Sequence, residues 1–372
     1  MAEVIEGFVG SELNLEVEEP KNIDEVDKEL QRFLNLQRAK VKVFGIGGGG
    51  NNTLARMMEI GIKGADLVAV NTDAQDLLYT SASAKILIGK ELTFGLGAGS
   101  DPKIGQEAAK ESEEEIRKRM KGASLVFITC GLGGGTGTGA SPVIAEIAKK
   151  LGILTIAVVT LPFSIEGNRR WENALLGLER LEDLVDTLIV IPNDKLLELA
   201  PDLPLQTAFK VADEILTNAV KGITELITSP GLVNLDFADI KAVMTNAGVA
   251  MIGVGESDGK NRAQDAIEKA INNPLLDIEV EGASGALVNI NGGKDMSLNE
   301  TKEIIEYVNS KLGENARLIW GASISEDMGN NLRVMIIMTG VKSPQIFGTI
   351  IKKEKEEKEK RASEDLGIEF ID

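Results

Sequence analysis

Apolar, β-branched runs recur along this chain. Each is followed by a glycine-rich or polar turn, and then by a segment whose apolar positions step by three and four. That alternation predicts strand–turn–helix units and an α/β fold with a mostly parallel sheet. The clearest unit begins with Leu125, Val126, Phe127 and Ile128, a buried strand, and continues through the run GLGGGTGTGAS. Val143, Ile144, Ile147 and Ala148 then mark a helix with Pro142 in its first turn. Strands are expected likewise at 41–46, 66–70, 153–160 and 188–191, with a charged helix at 106–121 and another starting near Asn168. The longest helical pattern, 205–228, repeats Phe209, Ala212, Ile215, Leu216, Ala219, Val220 and Ile223 on one face. At 1.5 Å per residue it is about 35 Å long, enough to bridge two domains. After residue 249 the character changes. Strands at 251–254, 285–290, 317–320 and 332–338 alternate with helices near 261–271 and 299–311, and no phosphate-type glycine loop appears.

These patterns divide the 372 residues into four parts. Residues 1–38 are a polar, acidic extension with a weak helical pattern over 23–36. Residues 39–228 form the glycine-rich domain with its long helix, and 229–350 a smaller α/β domain. Residues 351–372 are a charged linker, KKEKEEKEKR, ending in the peptide GIEFID. Ile368, Phe370 and Ile371 have no purpose on a solvated tail unless a partner binds them, so 367–372 is a candidate docking peptide.

The glycine runs carry the candidate chemistry. Between strand and helix, missing Cβ atoms let backbone N–H groups approach an anion, and a helix N-terminus adds positive potential. Residues 131–139 are therefore read as a phosphate cradle. Gly134 to Ser141 fits the P-loop pattern except at Ala140, where a lysine is expected. Phosphate would be held by amides, threonine hydroxyls and Mg²⁺. Gly45, Gly47 and Gly50 satisfy the dinucleotide fingerprint, which keeps a nicotinamide-dependent oxidoreductase open as an alternative. Asn51 and Asn52 can bond a nucleotide or cap the helix. Asp73, just past a strand end, can approach the phosphates through Mg²⁺ or cap the next helix. A third glycine-rich stretch, 93–102, is a further loop at the ligand or an ordinary surface turn. Glu166 and Arg170 can grip a ribose and nearby groups or form a surface ion pair. Phe209 and Asp213, one helical turn apart, offer an aromatic face and a carboxylate, a pairing that selects guanine over adenine. Asp236 and Asp239 share one face at a helix entrance, where they can cap it or polarise a water.

Composition narrows the chemistry. The net charge of −18 argues against general nucleic-acid binding. With no histidine, neither a Ser–His–Asp triad nor a histidine-ligated zinc site is possible. The single cysteine, Cys130, excludes an internal disulfide and fits a reducing cytoplasmic setting. With no histidine to activate it, it is read as a small buried residue. No apolar run reaches membrane-spanning length, so direct membrane insertion is not expected.

The run GGGTGTG resembles the tubulin-superfamily signature. With GIGGGGNN, NTDAQ, FGLGAGSDP, LPFSIEGNRR and NLDFADI in that order, the chain looks like the FtsZ family of cell-division GTPases, in an archaeal form. The likeness runs from about residue 41 to 338. It implies a Rossmann-like GTPase domain, a long central helix, a smaller C-terminal α/β domain, and GTP or GDP with Mg²⁺ bound mainly through phosphates and water. It also implies assembly-dependent hydrolysis in head-to-tail filaments at the division site, and membrane-tethering partners bound through 367–372. Carried onto this chain, Gly48, Gly49, Gly50, Asn51 and Asn52, with Gly134, Gly135, Thr136, Gly137 and Thr138, would hold phosphates. Gly97, Ala98 and Gly99 would close over the γ-phosphate. Glu166 and Arg170 would meet the ribose, and Phe209 and Asp213 the guanine. Asn234, Asp236 and Asp239 would act on the adjacent subunit's GTP. A tubulin-like GTPase acting in cell shape is the alternative.

Overall fold

A computed structural model describes residues 39–195, 204–228, 232–233, 236–272 and 283–341. The chain divides into two units, Met1–Arg38 and Ala39–Asp372, and the described residues all belong to the second. The helical pattern at 23–36, Asn234, the charged linker and the terminal peptide 367–372 lie outside the described residues.

The described residues open with β1 (Val41–Ile46), which runs directly into α1 (Gly47–Ile60). Next come β2 (Ala65–Asn71), α2 (Ala74–Tyr79), β3 (Ala84–Leu87) and α3 (Lys90–Thr93). They are followed by α4 (Pro102–Glu111), α5 (Glu113–Met120), β4 (Leu125–Gly131) and α6 (Thr136–Lys150). Then β5 (Leu154–Leu161), α7 (Asn168–Glu182) and β6 (Thr187–Pro192) lead to the long helix α8 (Leu205–Thr228). The remainder is α9 (Phe237–Met244), β7 (Gly248–Ser257), α10 (Arg262–Ile271), β8 (Ala283–Gly292), α11 (Leu298–Lys311), β9 (Leu312–Ile324) and β10 (Leu332–Thr339).

One ten-stranded sheet runs through all of it, in the order β3-β2-β1-β4-β5-β6-β7-β10-β8-β9. Strands β1 to β6 are parallel and β7 continues beside β6 in the same sense. Strand β10 is antiparallel to both its neighbours, and β8 and β9 are parallel. The chain winds outward from β1 to β3 on one side, then returns to β4 on the other. The order therefore reverses between β1 and β4, and a crevice opens beyond their carboxyl ends. Strand β5 is buried at every residue and β4 at all but the last, as strands covered by helices on both faces must be.

One apolar cluster lies under α4 to α7 and includes Ile116, Met120, Ile144, Ala148, Leu178 and Leu181. The opposite face buries Leu54 and Met57 of α1 with Leu216, Ala219, Val220 and Ile223 of α8, and reaches Leu287, Met335 and Ile337 of the last strands. A third cluster sits under α10 and α11. Helix α8 thus covers the sheet across the junction of its two halves. A Cβ at Gly222 would fall 2.2 Å from the sulfur of Met335, so the helix lies as close to β10 as a glycine allows.

Two expectations need correction. The helix expected at 106–121 is two helices meeting at Ser112, and it starts earlier, where Asp101 caps α4 and Pro102 takes its first turn. Pro142 does not open α6. That helix begins at Thr136, so the glycine–threonine run is itself the first turn and Pro142 lies in the interior. The short strand β3 had no counterpart in the pattern reading; four residues carry too little periodicity.

Helices α4 and α6 touch through glycine. A Cβ at Gly139 would lie 1.9 Å from the carbonyl oxygen of Pro102, whereas one at Gly134 would meet nothing within 4 Å. In an exposed helix Gly→Ala gains about 1 kcal/mol, but the overpacking here costs about 1–3 kcal/mol or more. Gly139→Ala is therefore expected to lower the urea midpoint, and Gly134→Ala to leave it unchanged while weakening nucleotide binding. Equal midpoints for the parent and Gly139→Ala would refute the packing argument.

Candidate functional site

The register of β1 against β4 sets Ile46 opposite Cys130, so the two glycine turns leave the sheet side by side. Gly47 starts α1 with φ 69°, and a Cβ there would lie 3.0 Å from the amide nitrogen of Gly137. Helices α1 and α6 both begin without a side-chain capping bond and without an acid in the first turn. Their leading N–H groups therefore remain unsatisfied by the chain's own side chains, and both positive helix ends aim into one space.

That space is a cleft of about 470 Å³. Gly48, Gly49, Asn52, Gly134, Gly135, Thr136 and Gly137 line its side at the two helix starts, and Glu166, Arg170, Phe209 and Asp213 are among the residues that line the rest. Phe209 is 41% exposed, and its ring is held edge-on to the buried Phe163 at 5.2 Å and 83°. One aromatic face is thus left toward the cleft. Asp213 Oδ1 accepts from the Thr53 hydroxyl at 3.0 Å. Burial pushes its carboxyl up to about 6, against the smaller opposing pulls of Thr53 and of Arg56. Glu166 accepts from the amide of Phe163 at 2.9 Å and forms an ion pair with Arg170. The pair is an ion pair, and it lines the cleft.

Other sequence candidates lie around the cleft without lining it. Gly50 is packed between Gly45 and the carbonyl of Thr129, where a Cβ would fall 2.4 Å from that oxygen. Asn51 is buried and donates to Asp76 at 3.0 Å. Asp73 caps α2, with Oδ1 accepting from the amides of Gln75 and Asp76 at 2.9 and 3.0 Å. Thr138 turns its hydroxyl back to accept from the amide of Gly133 at 2.8 Å. In the third glycine-rich loop Gly97 donates to the carbonyl of Thr72 at 3.2 Å, and Ala98 is buried against Gly135. With Gly99, this loop lies against the start of α6. Cys130 is fully buried and its thiol is pushed up to about 12, so it is no nucleophile.

Asp236 and Asp239 are exposed and stand apart from the cleft. Asp236 caps α9 through the amide of Ala238 at 3.2 Å, and Asp239 lies in its first turn. Helix α9 ends where its Met244 carbonyl accepts from the hydroxyl of Thr187, the first residue of β6. That is the amino-terminal edge of the sheet, opposite the cleft. Helix α8 runs between the two edges. Phe209 and Asp213 line the cleft, while its last residue, Thr228, sits where a Cβ at Gly64, just ahead of β2, would meet it at 2.6 Å.

Two residues escaped the pattern reading. Asn193 lines the cleft just past β6, is buried, and its Oδ1 has no hydrogen-bond partner. The strand-end rule that singled out Asp73 points to it equally. Thr53 was hidden because it reads as one more residue inside a helix. Among the described residues no three His, Cys, Asp or Glu side chains gather to hold a metal, and no helix is long and apolar enough to cross a membrane.

Family comparisons agree with this geometry. Residues 40–201 match the Tubulin/FtsZ family GTPase domain, and 248–342 the FtsZ family C-terminal domain. The cell division protein FtsZ 1 of Thermococcus kodakarensis is 61% identical over 326 residues, 88% of this chain and 87% of its own. That of Pyrococcus furiosus is 59% identical over 348 residues, 93% of each. The chain belongs to the FtsZ family. A solved empty FtsZ dimer from M. jannaschii superposes with a TM-score of 0.81 at 58% identity, covering 85% of this chain and 92% of that one. The family's two-domain α/β fold is therefore this chain's fold. The chain is a GTP- and GDP-binding GTPase of the cell-division cytoskeleton. The GTPase match spans both glycine turns and sets aside the nicotinamide alternative, and a cell-shape role is not favoured.

The raised Asp213 carboxyl makes a signed prediction. Its contribution to stability is fully present below the ordinary value of 3.8 and is lost as pH rises through about 6, where ionisation in the buried site becomes unfavourable. An isotope-edited NMR titration of the aspartate carboxyls in the nucleotide-free protein should show one midpoint near 6 that is missing in Asp213→Asn. A parent spectrum whose midpoints all lie near 4 contradicts the burial argument.

Proposed function

We propose that GTP binds with its phosphates on the two helix starts and is hydrolysed only when a second subunit supplies the acidic groups. On this reading Gly48 to Asn52 and Gly134 to Thr138 hold the phosphates, and Gly97, Ala98 and Gly99 close over the terminal one. Glu166 and Arg170 meet the ribose, and Phe209 and Asp213 the guanine, with the unpartnered Asn193 carbonyl as a further acceptor for the base.

One observation carries the proposal. The charged residues lining the cleft are Glu166, Arg170 and Asp213; Glu166 is already paired, and Asp213 lies at the base end on α8. No free carboxylate faces the phosphate end among the described residues. The remaining candidates, Asp236 and Asp239, come after the far end of α8, a climb from Asp213 to Thr228 of roughly 22 Å at 1.5 Å per residue. They cannot reach the cleft of their own subunit. Stacked head to tail, a second copy brings its amino-terminal edge, with Asn234, Asp236 and Asp239, over the cleft. Phosphoryl transfer is mostly positioning and charge stabilisation, so a water oriented by this pair suffices. Mg²⁺ would travel with the phosphates and water rather than in a protein cage.

The same reading assigns the chain to the cytoplasm, concentrated at the division site. Residues 1–38, 39–228, 229–350 and 351–372 serve as extension, GTP-binding domain, C-terminal domain and linker, and 367–372 dock membrane-tethering proteins.

Asp239→Ala should bind GTP like the parent and lose about 10²–10⁴-fold in turnover. In the parent, the rate per subunit should climb with protein concentration. Parental turnover in the mutant, or a rate per subunit that is flat from dilute to concentrated protein, would sink the shared site.

A further inference from the structure

We propose that Thr53 is a positioning and specificity residue, its hydroxyl fixing Asp213 as the acceptor that faces the base. The inference rests on the reading of Asp213 as the guanine-facing carboxylate.

Thr53 lies in α1 and is wholly buried. Its hydroxyl is 3.1 Å from the carbonyl of Gly49 and 3.0 Å from Asp213 Oδ1. The first contact is the back-bond a threonine makes to the carbonyl four residues earlier, and it needs no partner from another helix. The second links α1 to α8 across 160 positions of chain. A hydroxyl has one proton, so these two acceptors share it. Both acceptors belong to residues lining the cleft, Gly49 at its phosphate side and Asp213 at its base side. Thr53 therefore joins the two ends of the nucleotide site from behind.

The carboxylate needs that support. Guanine presents two donors, its ring N1–H and its exocyclic amine, to a facing pair of oxygens. Adenine presents an unprotonated ring nitrogen instead. The discrimination holds only while Asp213 is ionised, because a protonated carboxyl points a donor where guanine has its own. Burial works against ionisation, and the donated Thr53 bond works for it while leaving Oδ2 free. The other charges around the group are few. Arg56 on α1 is hydrogen-bonded to Glu59, the Glu166–Arg170 pair lines the same cleft, and Lys210 and Glu214 flank Asp213 on α8. A valine has the same shape as threonine and lacks only the proton.

The test measures GDP and ADP dissociation constants for the full chain from pH 5.5 to 8, in the parent, Thr53→Val, Thr53→Ser and Asp213→Asn, with the urea midpoint of each. In the parent, GDP affinity should weaken as pH falls through about 6. Thr53→Val should move that midpoint up by about one unit. GDP binding would then be about fivefold weaker than the parent's at pH 6, with near-equality at pH 8 apart from lost orientation. The preference for GDP over ADP should fall with it, and Thr53→Ser should restore both. A midpoint unmoved in Thr53→Val, or a loss of the same size at every pH, overturns the role of Thr53. If the parent has no such midpoint, or Asp213→Asn keeps its slope and guanine preference, the reading of Asp213 falls and this inference with it.

Discussion

Two helix starts abutting at the reversal of the sheet are the constraint on which the rest depends. Strands β1 and β4 are neighbours in register, so the turn leaving Ile46 must share space with the turn leaving Cys130. Side chains there would clash: a Cβ on Gly137 would lie 2.7 Å from the carbonyl of Gly131, and one on Gly50 2.4 Å from that of Thr129. Glycine resolves the crowding and bares the amides in the same stroke. Each helix end carries roughly half a positive charge, worth about 0.3–1 kcal/mol to a nearby anion and up to about 2 when partly buried. Two such ends, with several N–H donors, replace the lysine that Ala140 cannot supply. Ala140 is itself fully buried, so a lysine there would have to enter the core.

A site built from amides at one end of the sheet leaves little room for acid–base chemistry beside it. On the proposed reading, carboxylates near the cradle would oppose the anion, and Asp213 on α8 lies at the base end instead, tied to Thr53 of α1. The same helix then sets the distance to Asp236 and Asp239. Its inner face packs with α1 near the cleft and with Met335 near the other half of the sheet. It cannot shift at one end without disturbing contacts at the other. The cleft and the placement of the acidic pair are thus mechanically joined within one subunit, and on the proposed reading they are chemically joined only between two.

Much of this was legible in the chain because the signals were strong and local. The repeat of Phe209 to Ile223 spells out α8 to its observed ends, and the β-branched runs locate the central strands. Glycine-rich turns after strands gave the cradle. What failed was boundary placement where glycine dominates. Pro142 looked like a helix opener because glycines read as loop, yet tertiary packing against α4 draws Thr136 to Gly139 into the helix. Ser112 divides a continuous charged pattern through a long-range contact: it leaves helical geometry at φ −101° and ψ 16°, and its hydroxyl accepts from the amide of Gly89 at 3.2 Å rather than capping α5. Thr53 and Asn193 were missed for other reasons. Thr53 depends on a partner far away in sequence, Asp213, and no spacing rule encodes that, whereas Asn193 stands just past β6, where the strand-end rule could have found it.

The division of labour between backbone and side chains has a consequence for pH. Peptide amides do not titrate, so the phosphate end should hold its anion across the physiological range. On the proposed reading the base end differs, because burial pushes the Asp213 carboxyl up to about 6, and the groups that oppose that push are a single hydroxyl and one guanidinium on the neighbouring helix. On that reading, acidification would remove the choice of base before it removed the grip on phosphate. In a chain with net charge −18, where added protons would otherwise ease repulsion and favour association, that ordering matters. Subunits driven together in mild acid would still hold phosphate, but the site would no longer insist on guanine.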